Sequence, residues 1–361
     1  MTLSPAALDL TAWRAAAGQW STAAGGASLR GNGDEWSVLE GGATKPNDLI
    51  TANLSGTAAL AGFSFGDDND FLVPVDPSLS ERSIQLELDG EACRFRADGT
   101  LVETRAAGDR GPLALKAWKA EEVRFARVTT AAFASPPRVS VVMTCYRFAQ
   151  RLRVALTSWC RQRLPAGALE IIVANPESPD GTHELIASMA AAYPEVRLYE
   201  IAVAGGLARN KGYMLNRAMQ ECRGEWIWLT DADCVFPPDA AARLLACDAP
   251  AVSLLYCERR HLSKAATDLL LAGRADAAGD FAAFAGEADA TEAFPWGYSQ
   301  ILHRSQIPRI RYREDVDHFA GSDGSFLEEC RRGGLRERQI EGLACLHLRH
   351  PFAWYGTKLF L

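Results

Sequence analysis

From Pro137 onward the chain alternates between two textures, and that alternation limits the folds open to it. Strand-like apolar runs occupy residues 139–145, 169–174, 196–202 and 226–230, with helical stretches around 150–161, 181–192 and 207–222 between them. A strand-to-strand spacing of roughly thirty residues is that of right-handed βαβ units, which build a mostly parallel sheet covered by helices. In such sheets ligands bind beyond the carboxyl ends of the strands. The fourth run ends on Asp231-Ala232-Asp233. A strand delivering carboxylates at i and i+2 points both to one side, because side chains alternate along it. Like charges that close repel, so a cation is expected between or beside them; a divalent ion carrying a phosphorylated substrate suits the position. A polar turn after a strand is the plainer reading, since Asp is common in turns.

Before Ser135-Pro136-Pro137 the texture differs. Partly alternating apolar runs at 36–39, 48–52, 60–65, 83–88 and 122–128 are separated by turn signals at Gly31-Asn32-Gly33, Gly66-Asp67-Asp68-Asn69-Asp70, Asp89-Gly90 and Asp98-Gly99. Many short strands with little helix predict an all-β sandwich over residues 1–135, followed by an α/β domain over 136–361. The pattern from Trp13 through Gly18-Gln19-Trp20 to Leu29-Arg30-Gly31-Asn32-Gly33 resembles jelly-roll domains of the concanavalin/laminin-G type. That resemblance implies either glycan binding or a structural role. The Asp67-Asp68-Asn69-Asp70 cluster reads as a calcium site or as a solvated acidic turn.

Composition narrows the function classes. A chain of 361 residues with 48% hydrophobic and 23% charged content is long enough for two ordinary globular domains. Residues 1–135 carry 12 Lys and Arg against 18 Asp and Glu, whereas the remainder carries 26 against 27. Neither part shows the basic stripe that nucleic-acid binding needs. No apolar stretch is long enough to cross a bilayer, and no basic region followed by an apolar core marks a secretory signal. The nine cysteines are scattered without a C-x-x-C pair, which argues against a zinc site or disulfide framework and for a reducing, cytoplasmic setting.

Four pieces then recur in order. Pro137-Arg138-Val139-Ser140-Val141-Val142-Met143-Thr144-Cys145-Tyr146 is a first strand whose end can press its backbone against a ligand. A second strand runs into the polar turn Asn175-Pro176-Glu177-Ser178-Pro179-Asp180-Gly181-Thr182, where Asp180 can cap the next helix. Gly205-Gly206-Leu207-Ala208-Arg209-Asn210-Lys211-Gly212 opens a helix with two cations near its positive end, a place suited to phosphates. Asp231-Ala232-Asp233 completes the set. In this order the pieces resemble the family 2 glycosyltransferases of the GT-A fold, over residues 137–351. The resemblance implies that Thr144, Tyr146, Asn175 and Arg209 contact the nucleotide, with Asp231 towards the ribose and Asp233 on a metal. Asn175 departs from the family's usual Asp, which loosens the choice of base, although UDP-sugars are favoured.

Further on, Phe319-Ala320-Gly321-Ser322-Asp323-Gly324 resembles the family's later acidic motif, with Ser322-Asp323 in place of Glu-Asp. The resemblance makes Asp323 the general base; on residue type alone an Asp at a helix start is an N-cap. In Cys345-Leu346-His347-Leu348-Arg349-His350, His350 fits the spacing of a further metal ligand, with His347 as the fallback. Mixed oxygen and imidazole ligation suits Mn2+ or Mg2+, manganese slightly more. Trp296, between an Ala-rich helical insertion (residues 265–290) and the Asp323 motif, is the acceptor-stacking candidate or a core residue. Trp354-Tyr355 and Phe360 are candidates for peripheral membrane contact or for ordinary packing. The expected activity is therefore an inverting, metal-dependent glycosyl transfer to a glycan or other hydroxyl acceptor, in surface polysaccharide or glycoconjugate synthesis. Its rivals are a nucleotidyltransferase, disfavoured because residues 144–151 lack a glycine-rich lysine loop, and a non-catalytic glycan-binding protein on a degenerate scaffold.

Overall fold

A computed structural model describes residues 5–30, 35–65, 69–79, 81–106, 111–315 and 321–350, with backbone alone at 289–291. Gly31-Asn32-Gly33, Gly66-Asp67-Asp68, Phe319-Ala320, Trp354-Tyr355 and Phe360 lie outside the described residues. The chain divides into two compact units, Met1–Pro136 and Pro137–Leu361.

The first unit is all β among its described residues. Two long strands, Asp48–Phe65 and Leu113–Ala132, run antiparallel from Asp48 opposite Ala132 to Phe65 opposite Leu113. Gly26–Arg30 and Trp36–Glu40 flank Leu113–Ala132, while Asn69–Val75 and Arg82–Leu88 flank Asp48–Phe65. The sequence predicts separate short strands at 48–52 and 60–65, but the structure joins them through Gly56. There φ is 113°, and a Cβ would lie 2.0 Å from the Glu122 carbonyl oxygen, beside a register shift between Ala120 and Glu122. A glycine at a bulge lets a strand bend without ending, so polar and small residues there are a kink and not a turn. Phe63, Phe71, Phe95 and Phe125 fill the core of this unit.

The second unit is built on a mixed sheet. Its parallel half comprises β1 (Val139–Thr144), β2 (Leu169–Asn175), β3 (Arg197–Ala202) and β4 (Trp226–Leu229), ordered β3-β2-β1-β4. Beyond β4 the strands are β5 (Cys234–Val235), β6 (Ser253–His261), β7 (Asp289–Ala293), β8 (Gln300–His303) and β9 (Arg336–His347). Strand β8 lies antiparallel to β4 and to β6, β6 is parallel to β9, and β5 closes antiparallel on β9. The sheet, expected to be mostly parallel, is therefore mixed beyond β4: β8 runs antiparallel to both its neighbours, whereas β6 and β9 pair in parallel.

Helices α1 (Ala149–Cys160), α2 (Thr182–Ala192), α3 (Lys211–Gln220), α4 (Ala240–Ala246), α5 (Lys264–Leu271), α6 (Phe281–Glu287) and α7 (Ser322–Arg332) complete the unit. In α1, Leu152, Leu156 and Trp159 recur at helical spacing and enter the same core as Val141, Met143, Ile171 and Val173. The expected cap is displaced: Asp180 accepts the Ala149 N–H at 2.8 Å at the start of α1, while α2 begins behind Gly181 with no side-chain cap. Turn hydrogen bonds therefore tie the end of β2 to the start of α1. The α5–α6 pair lies within the Ala-rich stretch read as a helical insertion. No helix among the described residues is long and apolar enough to cross a membrane.

The end of β4 is anchored by aromatic packing. The Trp228 ring is fully buried, 5.0 Å from both Trp159 and Phe236. Trp228→Ala is expected to cost about 3–5 kcal/mol of unfolding free energy, the usual range for a large core truncation. Denaturant titration measures it; a loss below about 1 kcal/mol would show that this cluster does not hold the strand.

Candidate active site

Asp231, Ala232 and Asp233 follow β4, but they occupy a turn and not the strand itself, which ends at Leu229. Thr230 still donates its N–H to the Val142 carbonyl, and its hydroxyl donates to the Tyr298 carbonyl at 2.8 Å. The turn closes with Cys234 N–H on the Asp231 carbonyl. The two carboxylates meet different partners. Asp231 meets Lys211, and Asp233 meets two histidines.

On the first side, the Lys211 ammonium donates to Asp231 Oδ1 at 3.0 Å and ion-pairs with Asp323 Oδ1 at 2.8 Å. Lys211 is the first residue of α3, behind Asn210, whose side chain caps the helix by accepting the Tyr213 N–H. The helix start therefore aims its buried lysine at carboxylates, where the sequence reading had two cations available to phosphates. Burial disfavours the Lys211 ammonium, yet the two carboxylates outweigh it and hold its proton affinity above that of an ordinary lysine. Burial pushes the Asp323 carboxyl up, Lys211 opposes it and Asp231 reinforces it, leaving a net rise. For Asp231 burial also pushes up, but Lys211 prevails and the carboxyl sits below its ordinary value.

Asp323 lies in the first turn of α7, one residue beyond Ser322. It is not the cap, because Gly321 holds that place with φ 87° and no side-chain hydrogen bond caps the helix. Its carboxylate instead accepts the Gly297 N–H. A Cβ at Gly297 would lie 2.3 Å from Asp323 Oδ2, so any side chain there would displace the carboxylate. Gln300 fixes the same corner, donating to the Asp323 carbonyl at 3.2 Å and the Pro295 carbonyl at 2.8 Å. Trp296, 36% exposed, lies over Gly324, where an added Cβ would be 3.3 Å from its ring. The fold thus sets a half-open aromatic face beside Asp323.

On the second side, His347 Nε2 and His350 Nε2 lie 3.5 and 3.4 Å from Asp233 Oδ2. The three donor atoms lie within 4.8 Å of one another. Asp233 is 1% exposed, and its Oδ2 has no hydrogen-bond partner among the described residues. Burial lowers the proton affinity of His347, against the pull of Asp233, which favours the neutral imidazole that a metal requires. A buried carboxylate oxygen without a donor, faced by two ring nitrogens, fits a divalent cation. Both histidines are brought together here, where the sequence ranked one as fallback to the other. Arg259, stacked 4.6 Å over Tyr298 and paired with Glu292, adds positive potential at Asp231 and His347.

The remaining candidates lie at the ends of β1 and β2 and ahead of α3. Thr144 and Tyr146 are half-buried, with the Arg147 guanidinium 5.3 Å from the Tyr146 ring. Arg209 is exposed in the turn before α3. Asn175 is 2% exposed: its Oδ1 accepts the Ser178 N–H at 3.0 Å and its Nδ2 donates to Glu200 at 3.3 Å. An amide carries four hydrogen-bonding positions, so Asn175 keeps capacity for a ligand while serving as a turn brace. Glu200, which also meets His183 at 3.0 Å, was missed from sequence because a polar residue inside an apolar strand gives no sign of its partner. The sequence reads Lys211 as a cation suited to phosphates and gives Gly297 no role; the contacts of both with Asp323 are made only by folding.

Residues 140–247 match the model of glycosyl transferase family 2. That match lies within the second unit and covers less than a third of the chain. No curated protein matches the chain. Among solved structures, the mannosyltransferase PcManGT of Pyrobaculum calidifontis, in complex with GDP-Man and Mn2+, is similar at 22% identity and TM-score 0.44. That likeness covers 62% of this chain and 60% of that one, so the chain spans less than two thirds of the relative. TarS 1-349 of S. aureus in complex with UDP-GlcNAc is similar at 14% identity and TM-score 0.44, covering 61% of each chain. The carbohydrate binding module CBM66 of Bacillus subtilis is similar at 16% identity and TM-score 0.28, covering 34% of this chain and 96% of that one.

The three-residue cluster makes a direct expectation. Calorimetric titration with Mn2+ is expected to show one site, weakened more than about a hundredfold by Asp233→Ala and substantially by His347→Ala or His350→Ala, since even outer-shell changes reach 10–100-fold. Unchanged Mn2+ affinity in Asp233→Ala would remove this cluster as a metal site.

Proposed function

We propose that this chain is an inverting, metal-dependent glycosyltransferase that moves a sugar from a nucleotide-sugar donor, UDP-sugars favoured, to the hydroxyl of a glycan or similar acceptor. The observation that carries the reading is the convergence, beyond β4, of a base candidate on one side and a metal-ligand set on the other. Asp233, His347 and His350 would hold the divalent ion, which when bound neutralises charge on a departing diphosphate. Two imidazoles beside one carboxylate favour Mn2+ over Mg2+, whose preference is for oxygen. Asp231 takes the ribose, and Thr144, Tyr146, Asn175 and Arg209 line the nucleotide side at the strand ends.

Asp323 accepts the proton of the acceptor hydroxyl as that oxygen attacks the anomeric carbon. Its raised proton affinity suits a base better than an ordinary carboxylate would. The Gly297 N–H keeps the carboxylate oriented, and the Trp296 face supplies a platform for the acceptor sugar ring. A single displacement driven by one base inverts the anomeric carbon. The all-β unit is proposed as a glycan-binding or assembly module. Nine scattered cysteines without a C-x-x-C pair support a reducing, cytoplasmic compartment, with surface polysaccharide or glycoconjugate synthesis as the setting.

A panel of UDP- and GDP-sugars, incubated with and without Mn2+, tests the reading. The expected result is nucleotide release from a UDP-sugar that requires Mn2+. Release of pyrophosphate from a nucleoside triphosphate would indicate a nucleotidyltransferase, and glycan binding with no turnover a non-catalytic scaffold. Asp323→Asn is expected to keep donor binding and lose turnover by about 10²–10⁴-fold. Because Asp323 must be ionised to act, turnover should fall on the acid side at a pH above the ordinary carboxylate value of 3.8. A fully active Asp323→Asn protein refutes the base.

A further inference from the structure

Lys211 is joined to both sides of the transferase chemistry, yet that chemistry gives it no task. Its side chain is 4% exposed and ion-paired with Asp231 and Asp323, two residues that stand 92 positions apart in the chain. A buried ammonium is tolerated only where partners repay its lost hydration, and two carboxylates do so here. The helix start that carries it is also fixed in place. Asn210 caps α3 and donates its side-chain amide to the Glu314 carbonyl at 2.8 Å, while a Cβ at Gly212 would lie 2.1 Å from the Arg313 carbonyl oxygen. The backbone on both sides of Lys211 is thus pressed against the segment that leads towards α7.

We infer that Lys211 is a positioning residue of the transfer reaction: it pins the Asp323 carboxylate against the Gly297 N–H and joins it to Asp231 on the nucleotide side. The inference rests on the base assignment above and assigns Lys211 no contact with substrate. Among the described residues, the charged and titratable groups that face Asp323 are Lys211 from α3, Asp231 from the turn after β4 and the Tyr312 hydroxyl from the segment after β8. Tyr312 donates its proton to Gln300 Oε1 at 2.6 Å, so it does not serve the carboxylate. Lys211 is the only positive one of these three. Without it, Asp323 would face Asp231 across a half-buried site with no counter-charge among the described residues, and protonation would be the cheapest relief. A protonated Asp323 cannot accept the acceptor's proton. Lys211 therefore keeps the base in its working form while leaving one face of the carboxylate open.

Full-length Lys211→Met, Lys211→Arg and Asp323→Asn proteins test this. Turnover is followed from acid to neutral pH with the panel donor that the wild-type protein hydrolyses fastest, and UDP and GDP binding is measured by calorimetry with Mn2+. Lys211→Met is expected to keep nucleotide affinity while kcat at neutral pH falls about a hundredfold. The acid limb of kcat should move up by about one to two pH units, the usual effect of removing an adjacent opposite charge. Lys211→Arg should leave the acid limb near its wild-type position. An unmoved limb in Lys211→Met, or an equal shift in Lys211→Arg, overturns the inference. So does a loss of turnover matched by an equal loss of nucleotide affinity, which would make Lys211 a nucleotide ligand. If Lys211→Met does not fold, Lys211→Gln is read in the same way. The carbon-13 shift of the Asp323 carboxyl, assigned against Asp323→Asn, reports the same titration without turnover. An active Asp323→Asn protein overturns the base assignment and this inference with it. An inactive one beside an unmoved Lys211→Met profile overturns the positioning role alone.

Discussion

Three carboxylates, Asp231, Asp233 and Asp323, gather in the second unit, and the rest of its site is arranged around keeping their repulsion in check. Two like charges about 4 Å apart in a partly buried setting repel by on the order of 4 kcal/mol, comparable to a large share of a domain's stability. The protein answers separately for each side. Asp231 and Asp323 share one buried lysine, whereas Asp233 faces two histidines. One neutral imidazole cannot cancel a charge, which is why a bare Asp233 oxygen between ring nitrogens points to a cation.

Backbone placement, more than side-chain choice, makes that arrangement hold. The polar turn after β2 caps α1 through Asp180, and Ser178 accepts the Arg147 N–H, so that turn is tied to the segment that follows β1. The loop ahead of β8 brings the Gly297 N–H to the Asp323 carboxylate, which any side chain at that position would displace. Tyr298, the next residue, accepts the Thr230 hydroxyl through its carbonyl and carries Arg259 over its ring. The acidic turn, the aromatic loop and the start of α7 are therefore coupled through short, specific contacts and not through general burial.

The first unit shows the same logic without any chemistry yet attached. Its two long strands are read as three fragments in the sequence because small and polar residues interrupt the apolar pattern. Gly56 turns one such interruption into a bend, which lets one strand continue where the pattern reads two. A local pattern reports burial of side chains; it is silent about whether backbone pairing continues through a stretch whose side chains are small.

The sequence by itself determined the alternation of β and α elements, the change of character near Pro136, and the residue types at the strand ends, because these follow from periodicity and from local turn chemistry. It also named Asp231, Asp233, Asp323, His347, His350 and Trp296 as residues worth watching. Only the tertiary structure decided which of them meet. Lys211 and Asp323 are distant in the chain, as are Gly297 and Asp323, or Asp233 and the two histidines, and no local pattern encodes a contact made by folding. The mixed second half of the sheet belongs to the same class of facts. Strand direction there is set by where long connections return the chain, a property of packing that the apolar runs themselves do not carry.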